Sequence, residues 1–396
     1  MSERLNELVK LESELYFPGV RRWPLALVRG AGSTVWDSEG KTYIDLTAGW
    51  GVTSIGHSHP KLVAAISDQA QTLMQTTNTV YSEPQLELAQ RLGRFTPPGL
   101  KRCFFVSSGA EANEGALKLA HKSTGRSRYV ATLNSFHGRT LGVMGCLGQD
   151  KYRARWKGIV REATFVPYGD LDAAKAALSN DVAGMIVEPV QGEGGVVVPP
   201  PGYIKGLSAA CREVGARLIL DEIQTGIGRT GRWFAFEHSG VTPDILTLAK
   251  GLGGGVPIGA FMATDEVLAS LEPGDHGGTY AGNLLTCRAA ATVLEVIEDE
   301  ELVARSARLG DDVLTRLADL ANRSPERIES VRGRGLLIGL VLRNAAHAAA
   351  AHTRMREHGV LVNLTADRVL RLFPALNIPE DELDQALDVL EKQVLA

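Results

Sequence analysis

Seven short apolar segments constrain the fold of this 396-residue chain more than any other feature of its sequence. They occupy residues 101–106, 129–133, 163–166, 184–187, 217–220, 245–248 and 258–263. Most of them are separated by stretches of helical character, such as DLDAAKAALSN. Alternation of strands and helices is typical of a mostly parallel sheet covered by helices on both faces. We therefore predict an α/β fold that is built on a mostly parallel, seven-stranded sheet.

The two ends of the chain have a different pattern. At the start, an amphipathic helix precedes the alternating stretch LALVRGAGSTVWDSEGKTYIDLTAG, which predicts an antiparallel hairpin around the SEGK turn. At the end, two long helices precede the strand RGLLIGLVL, a helix, the strand VLRLFP and a final helix. We predict that residues 1–48 form the N-terminal part of a small α+β domain. Residues 49–280 would form a large domain, and residues 281–396 a linking helix and the rest of the small domain.

Composition excludes several classes of partner. A net charge of −4 with 22% charged residues gives no electrostatic reason to expect a nucleic acid or an anionic membrane. The charged start, MSERLNELVKLESEL, is unlike a secretory signal, and no apolar run is long enough to span a bilayer. The four cysteines are scattered without CxxC spacing. They predict reduced thiols in a cytoplasmic protein, with no metal site and no disulfide framework.

The first candidate for chemistry is a lysine at the end of a predicted strand. The apolar run from Ile245 ends on Lys250, and four of the next five residues are glycines. Glycines allow a ligand to approach the backbone closely, and lysine is the side chain that condenses with a carbonyl group. A lysine at a strand end is, by itself, more often simply solvated. The role of Lys250 therefore has to be inferred together with other residues.

A second candidate is the junction VSSGAEANEGALK, in which Ser107, Ser108, Gly109 and Ala110 lead directly into a helix. Small residues at a helix N-terminus leave free N–H groups and the positive end of the helix dipole facing one point. This arrangement suits a phosphate group. The simpler interpretation is an ordinary N-cap by Ser108.

The third candidate is Asp221, which directly follows the apolar residues 217–220, with Gln224 three positions later. Ligands of open α/β sheets bind at the carboxyl ends of the strands. Asp221 could merely cap a helix. A carboxylate here could instead pair with a pyridine nitrogen and keep it protonated, so that the ring withdraws electrons, and Gln224 could hydrogen-bond an oxygen on that ring.

A phosphate-binding turn, a strand-end aspartate and a strand-end lysine are together the three anchors of pyridoxal 5′-phosphate. In sequence order the chain also contains SGAEAN, SFHGRT, EPVQGEGG, LDEIQTGIGRTG and LAKGLGGGVPIGA. With these motifs it resembles the class III (ω-amino acid) aminotransferases of the acetylornithine and ornithine aminotransferase group, from about residue 25 to the C-terminus. The resemblance implies fold type I of the pyridoxal-phosphate enzymes.

The resemblance also implies roles for individual residues. Lys250 would bind the cofactor covalently and later shuttle a proton, and Asp221 would pair with the ring nitrogen. The other implied cofactor contacts are Gln224 at the phenolic oxygen, Phe136 on the ring face, and Ser108, Gly109 and Ala110 at the phosphate. In the GGTY stretch, Thr279 would complete the phosphate site of the neighbouring subunit, so that a homodimer would carry its active sites at the subunit interface.

Three further residues would select the substrates by the same resemblance. Arg139 would bind the distal carboxylate of the amino donor, and Arg371 the α-carboxylate of 2-oxoglutarate. Glu193 would neutralise Arg371 while the ω-amino substrate is bound and then swing away. The implied reaction moves an ω-amino group from an acetylornithine- or ornithine-like donor to 2-oxoglutarate, giving a semialdehyde and glutamate.

Other functions stay open at this point. The donor could be 4-aminobutyrate or a carrier-linked lysine, and the same scaffold could serve an amino-acid racemase or epimerase. A non-catalytic vitamin-binding protein is a further alternative, although Lys250 and Asp221 argue against it. An amino-acid racemase would need these same two residues but has no use for a switch between Glu193 and Arg371.

The chain departs from the group's usual pattern at a few positions. Trp50 occupies a position where the resemblance implies a substrate-facing tyrosine or small aliphatic residue, and its indole would narrow the pocket. Ala281, Leu284 and Ser107 also differ from the usual residues. These departures bear on the donor and leave the reaction type unchanged. His57 and His59 have no accompanying ligands at a metal-like spacing, so we interpret them as turn and helix-start residues.

Overall fold

The structure is a computed structural model and describes residues 2–396. Its helices are α1 (Glu3–Leu15), α2 (Ala48–Gly51), α3 (Pro60–Thr72), α4 (Glu83–Phe95), α5 (Gly109–Thr124), α6 (Leu141–Met144), α7 (Asp150–Arg153), α8 (Leu171–Ala177), α9 (Tyr203–Val214), α10 (Asp265–Leu268), α11 (Leu284–Asp299), α12 (Leu302–Arg323), α13 (Ala345–Glu357) and α14 (Glu380–Leu395). Its strands are β1 (Leu27–Ala31), β2 (Thr34–Asp37), β3 (Thr42–Asp45), β4 (Arg102–Val106), β5 (Arg128–Thr132), β6 (Thr164–Val166), β7 (Val182–Val187), β8 (Arg217–Asp221), β9 (Ile245–Leu248), β10 (Gly259–Ala263), β11 (Ile328–Arg334), β12 (Leu337–Leu342), β13 (Val360–Leu361), β14 (Asn363–Thr365) and β15 (Val369–Leu372).

The central sheet has seven strands in the order β4-β10-β9-β8-β7-β5-β6. Strands β9, β8, β7, β5 and β6 pair in parallel, whereas β10 is antiparallel to both of its neighbours. The predicted mostly parallel, seven-stranded sheet is confirmed. Because β4 and β9 flank the reversed strand, they run in the same direction. The carboxyl ends of β4, β5, β7, β8 and β9 therefore lie along one edge of the sheet.

Alternating side chains of β8 explain why this sheet is covered on both faces. Leu218 and Leu220 belong to one buried cluster, together with residues of α9 such as Leu207. Ile219 lies between them in sequence and belongs to another cluster, with Ala116 and Leu119 of α5. Successive side chains of a strand point to opposite faces, so a strand that is apolar throughout has to be buried on both.

Two four-stranded sheets lie outside the central one, in the orders β1-β2-β3-β13 and β11-β12-β15-β14. The predicted hairpin corresponds to β2 and β3, and β1 adds a further antiparallel strand to it. Strand β13 from near the C-terminus pairs in parallel with β3, which joins the two ends of the chain in one sheet. The exact domain boundaries stay a prediction.

A close backbone approach brings β15 against the segment that begins at α2. Phe373, just after β15, donates its backbone N–H to the carbonyl of Leu46 at 2.8 Å. Its ring fills the space beside Gly51, where an added Cβ would lie 2.4 Å from the phenyl carbons. This contact fixes the position of Arg371, two residues earlier, relative to the edge of the central sheet.

Helix α1 differs from the other long helices because none of its residues is buried. Among residues 2–396, no helix combines the length and the apolar run that crossing a membrane requires.

Candidate active site

A cavity of about 420 Å³ opens at the edge of the central sheet where the parallel strands end. Most of the predicted site residues line it: Ser107, Ser108, Gly109, Ala110, Phe136, Arg139, Asp221, Gln224 and Lys250. The sheet topology explains their convergence, since each follows a strand whose carboxyl end lies on this edge. Residues separated by more than 140 positions in sequence thus share one cavity.

Asp221 is held in place by three hydrogen-bond donors. Its Oδ2 accepts from Nδ1 of His137 at 2.7 Å and from Nδ2 of Asn113 at 2.8 Å, and its Oδ1 accepts from the backbone N–H of Ile223 at 3.0 Å. Asn113 in turn accepts from the hydroxyl of Thr247 on β9 at 2.7 Å. Only 3% of Asp221 is exposed. The donors offset the cost of burying a carboxylate and fix its orientation.

Lys250 begins a short 3₁₀ turn directly after β9, with a φ of +34° that is unusual for a residue with a side chain. The amine lies in the same cavity as Asp221. Burial lowers the pKa of Lys250 to about 8, even though Glu193 and Asp221 act in the opposite direction. About a tenth of the amine is therefore neutral at pH 7, far more than for an ordinary lysine, which suits a nucleophile or a base.

The turn after β4 has the features of an anion site. Ser108 caps α5 by accepting from the N–H of Glu111 at 3.2 Å. In the described residues, 2–396, the N–H groups of Gly109 and Ala110 donate to no protein acceptor and remain available at the helix N-terminus. The carboxylate of Glu111 accepts from the N–H of Ser107 at 2.7 Å, so the backbone of the turn is held by its own helix.

Phe136 and Arg139 form an aromatic and cationic wall of the cavity. The guanidinium of Arg139 lies 4.0 Å from the ring centroid of Tyr152 and 5.7 Å from that of Phe136. Within the part of the chain that the structure describes, no carboxylate pairs with Arg139, so its charge is held by aromatic faces. An arginine held in this way is ready to bind the carboxylate of a ligand.

Glu193, Arg371 and Gln224 form a closed triangle of hydrogen bonds. Arg371 donates from one guanidinium nitrogen to Glu193 at 2.7 Å and to the amide oxygen of Gln224 at 3.2 Å. Gln224 donates to Glu193 at 3.1 Å. Burial acts to raise the pKa of Glu193, but the charges of Arg371 and Lys250 outweigh it, so the pKa is lowered. Glu193 is therefore ionised at neutral pH.

Four predicted residues do not line the cavity within one chain. Glu193 and Arg371 lie beside it and contact its lining residue Gln224, whereas Trp50 and Thr279 have no such contact in residues 2–396. Trp50 is 61% exposed, has a φ of +65° and does not line the cavity. Thr279 is exposed, and its carbonyl accepts from the side chain of Gln75 at 2.7 Å. The substrate-facing position implied for Trp50 is not seen inside a single subunit.

Four residues of the site were not singled out from the sequence: Asn113, His137, Tyr152 and Glu188. Asn113 and His137 are buried partners of Asp221, and Tyr152 holds Arg139. Asn113 lies one helical turn after the SGA turn, and His137 lies inside SFHGRT, so the quoted motifs contained both. Glu188 directly follows β7, and its position on the common strand edge was the available signal.

The cavity suits pyridoxal phosphate on chemical grounds. It offers a partly neutral amine, an oriented buried carboxylate, an aromatic face and two free N–H groups at a helix N-terminus. In addition, Oε2 of the buried Glu188 has no hydrogen-bond partner among the described residues. Unpaired polar atoms inside a cavity indicate a place for a polar ligand.

Comparisons with known proteins agree with this geometry. The family model for class III aminotransferases matches residues 16–394. The chain is 46% identical over 385 residues to the acetylornithine aminotransferase of Methanothermobacter thermautotrophicus, covering 97% of both chains. It is 44% identical to the protein of that name from Methanopyrus kandleri, covering 92% of this chain and 93% of that protein.

Solved structures give the same result. The ornithine aminotransferase of Toxoplasma gondii superimposes with a TM-score of 0.94 at 33% identity, covering 99% of this chain and 95% of that one. The acetylornithine aminotransferase of Elizabethkingia anophelis superimposes with a TM-score of 0.89 at 33% identity, covering 100% of both.

The lowered pKa of Lys250 predicts an unusual labelling profile in the cofactor-free protein. With a pKa of about 8, half of this amine is neutral at pH 8. A lysine of ordinary pKa, about 10.4, is less than about 1% neutral there. Labelling with an amine-selective acylating reagent, followed by peptide mass spectrometry, should give a midpoint near pH 8 at Lys250. Lys61, whose pKa is raised by its bond to Asp299, is the internal control and should react only at much higher pH. Equal midpoints at the two lysines would contradict the assignment.

Proposed function

The chain belongs to the class III aminotransferase family, and from this premise we propose that it transfers the ω-amino group of an acetylornithine- or ornithine-like donor to 2-oxoglutarate. The enzyme is a pyridoxal-phosphate-dependent aminotransferase. The products would be a semialdehyde and glutamate. The observation that carries the proposal is the closed triangle of Glu193, Arg371 and Gln224 beside a cavity that contains both Lys250 and Asp221.

When bound, pyridoxal phosphate supplies an electron-withdrawing ring that stabilises negative charge on the reacting carbon of the substrate. We assign the proton transfer to Nζ of Lys250, whose lowered pKa makes it a usable base at neutral pH. Asp221, oriented by His137 and Asn113, would keep the ring nitrogen protonated. The N–H groups of Gly109 and Ala110 and the hydroxyl of Ser108 would bind the phosphate, and Phe136 would lie against the ring.

The pairing of Arg371 with Glu193 supports the use of two different substrates in turn. Arg371 is 1% exposed, so an unpaired guanidinium at this position would be costly. With an ω-amino donor bound, Glu193 would supply the compensating charge. With 2-oxoglutarate bound, its α-carboxylate would replace Glu193, which is 29% exposed at its side chain and has room to turn away.

Arg139 supports a donor that carries a carboxylate at the end distant from the reacting amine. Its guanidinium rests on aromatic rings rather than on an acid, and it lines the same cavity as Lys250. A donor held at one end by Arg139 would present its other end to the amine. This arrangement favours acetylornithine or ornithine, whose names the compared relatives and structures carry.

The racemase alternative is weaker on the same grounds. Proton removal and return at a single amino acid would use Lys250 and Asp221 but would need no exchange between two carboxylate-bearing substrates. The Glu193–Arg371 ion pair would then have no role in the reaction. It would also add little to the free energy of unfolding, since buried ion pairs contribute little net stability.

We further propose that the enzyme is a homodimer in the cytoplasm. Trp50, Tyr81 and Tyr280 are 61%, 97% and 66% exposed within one chain, and large aromatic side chains exposed to this extent favour an interface. Thr279, next to Tyr280, would then reach the phosphate site of the partner subunit. Trp50 would line a substrate entrance that the partner subunit completes. The four cysteines are all unpaired, in keeping with a reducing compartment.

Replacement of Lys250 with alanine tests the central assignment. The holoenzyme should have an absorption band from the cofactor bound to lysine, and Lys250→Ala should abolish both the band and transamination. If the band remains in Lys250→Ala, the assignment of Lys250 is wrong.

A panel of donors tests the substrate. Glutamate formation from 2-oxoglutarate, measured with acetylornithine, ornithine, 4-aminobutyrate and lysine in turn, would identify the donor. Racemisation of one amino acid without any keto acid would favour the racemase.

Replacing the two substrate arginines should affect opposite halves of the reaction. Arg371→Ala should raise KM for 2-oxoglutarate by at least about thirtyfold, about 2 kcal/mol, because a buried charge-assisted contact is lost. The donor half-reaction, followed in a single turnover, should change much less. Arg139→Ala should show the reverse pattern. Equal effects of Arg371→Ala on both halves would exclude the proposed exchange with Glu193.

Mixed dimers test the role of Thr279. Thr279→Ala should weaken cofactor binding about tenfold, as expected for loss of one hydrogen bond to a charged group. In a hybrid of Lys250→Ala and Thr279→Ala subunits, one active site would combine an intact Lys250 with an intact Thr279. Activity titrated with cofactor should therefore recover wild-type affinity on mixing. If mixing has no effect, Thr279 does not serve the partner's site.

A further inference from the structure

Glu188 is a carboxyl group inside the cofactor cavity to which the preceding assignments give no role. It directly follows β7, so it lies on the same strand edge as Asp221 at the end of β8 and Lys250 two residues after β9. Only 3% of its surface is exposed, and it lines the cavity with these two residues. Position alone therefore makes Glu188 a neighbour of whatever the cavity binds.

The carboxyl of Glu188 differs from the other two acids nearby because one of its oxygens, Oε2, lacks a partner. Asp221 accepts from three donors, and Glu193 pairs with Arg371 at 2.7 Å. In residues 2–396, Oε2 of Glu188 has no hydrogen-bond partner, and no basic side chain forms an ion pair with it. A buried polar atom without a partner is rare in a folded protein and indicates a missing ligand.

The backbone at Glu188 is held in place by a neighbouring side chain. The hydroxyl of Tyr168 donates to the carbonyl of Glu188 at 2.9 Å and to that of Pro189 at 3.0 Å. Pro189 also restricts the backbone conformation of the residue before it. These contacts keep the backbone of Glu188 at the wall of the cavity, which its side chain lines.

The surroundings favour the protonated form of this acid. Burial raises the pKa of Glu188 well above its ordinary value, and the negative charges of Asp221 and Glu193 add to the effect. Lys250 and the backbone N–H of Phe136 act in the opposite direction but are outweighed. A carboxylate buried without a cation or a full set of donors is costly, whereas the neutral acid carries an O–H that can donate.

The side-chain amide of Gln224, which also lines the cavity, already makes hydrogen bonds to protein groups. Gln224 donates to Glu193 at 3.1 Å and accepts from Arg371 at 3.2 Å. While this triangle is closed, Glu188 remains as a donor beside Lys250 that no protein acceptor uses.

We propose that Glu188 is a cofactor-contacting residue that stays a neutral carboxylic acid and donates its O–H to an acceptor atom of the bound pyridoxal phosphate next to Lys250. This inference rests on the proposed placement of the cofactor at Lys250. It gives the cavity one polar contact that adds no charge, so that the charge balance among Lys250, Asp221, Glu193 and Arg371 is unaffected by it.

Two isosteric variants of the holoenzyme separate charge from hydrogen bonding. Glu188→Gln keeps a neutral donor, whereas Glu188→Leu keeps only the approximate volume. The pH midpoint of the change in the cofactor absorption band should stay within about 0.3 units of the wild type in both variants, since a neutral group replaces a neutral group. The dissociation constant of pyridoxal phosphate should be near wild type for Glu188→Gln and about tenfold higher for Glu188→Leu, which loses one hydrogen bond.

Other outcomes would overturn the proposal. If Glu188 were a carboxylate, Glu188→Gln would remove a negative charge near the lysine nitrogen and lower the pH midpoint by about one to two units, as two charges about 6 Å apart interact at an effective dielectric constant of about 20. Equal cofactor affinity in the glutamine and leucine variants would show that Oε2 makes no contact with the cofactor.

A measurement without cofactor separates this inference from the proposed function. The infrared difference spectrum of the cofactor-free wild type minus Glu188→Gln should contain the carbonyl stretch of a protonated carboxyl group. Carboxylate stretches in its place would contradict the proposal that Glu188 is a neutral acid. This result does not require Glu188→Leu to fold. Failure of Lys250→Ala to abolish the cofactor band would instead refute the placement of the cofactor.

Discussion

The buried carboxylate of Asp221 is the interaction on which the rest of the site depends. Its partners come from separate parts of the chain: Asn113 from α5 and His137 from the segment after β5. Through Asn113 the network continues to Thr247 on β9, two residues before the backbone turns towards Lys250. A displacement of any of these elements would leave a buried carboxylate with too few donors, which is energetically costly. The same network that orients the acid therefore also fixes the phosphate-binding turn relative to the lysine.

The balance of charges in the cavity follows from which acids have partners. Asp221 accepts from three donors and Glu193 pairs with Arg371, whereas Oε2 of Glu188 has no partner among the described residues. Three basic side chains, Lys250, Arg139 and Arg371, lie in or beside the cavity. Because the interior screens charge weakly, a change in one of these groups alters the protonation of the others. With Glu188 neutral, as proposed, Asp221 and Glu193 would be the acids that balance these basic groups before any ligand is bound.

The residues proposed to select the substrates depend on elements outside the central sheet. Arg371 is supplied by β15, in a sheet formed by the C-terminal part of the chain, and it contacts Glu193 and Gln224 beside the cavity. Arg139 depends on Tyr152, whose ring lies 4.0 Å from the guanidinium. The residues proposed to hold the cofactor therefore lie along the strand edge, and those proposed to bind the substrates lie in a loop and a neighbouring sheet.

The sequence by itself determined the strand–helix alternation and the seven strands of the central sheet, and it identified the lysine, the aspartate and the helix-start turn that share one cavity. Each of these leaves a local pattern: an apolar run of strand length, small residues before a helix, or a charged residue directly after an apolar run. It did not determine the partners of Asp221, the support of Arg139 by Tyr152 or the unpaired oxygen of Glu188. These depend on contacts between residues far apart in the chain, such as Asn113 and Asp221, which have no periodicity to detect. Glu188 illustrates the difference, because its position after β7 was visible in the sequence. That its carboxyl lacks a partner could be decided only by the tertiary structure, since burial and the absence of a donor are properties of its neighbours in space.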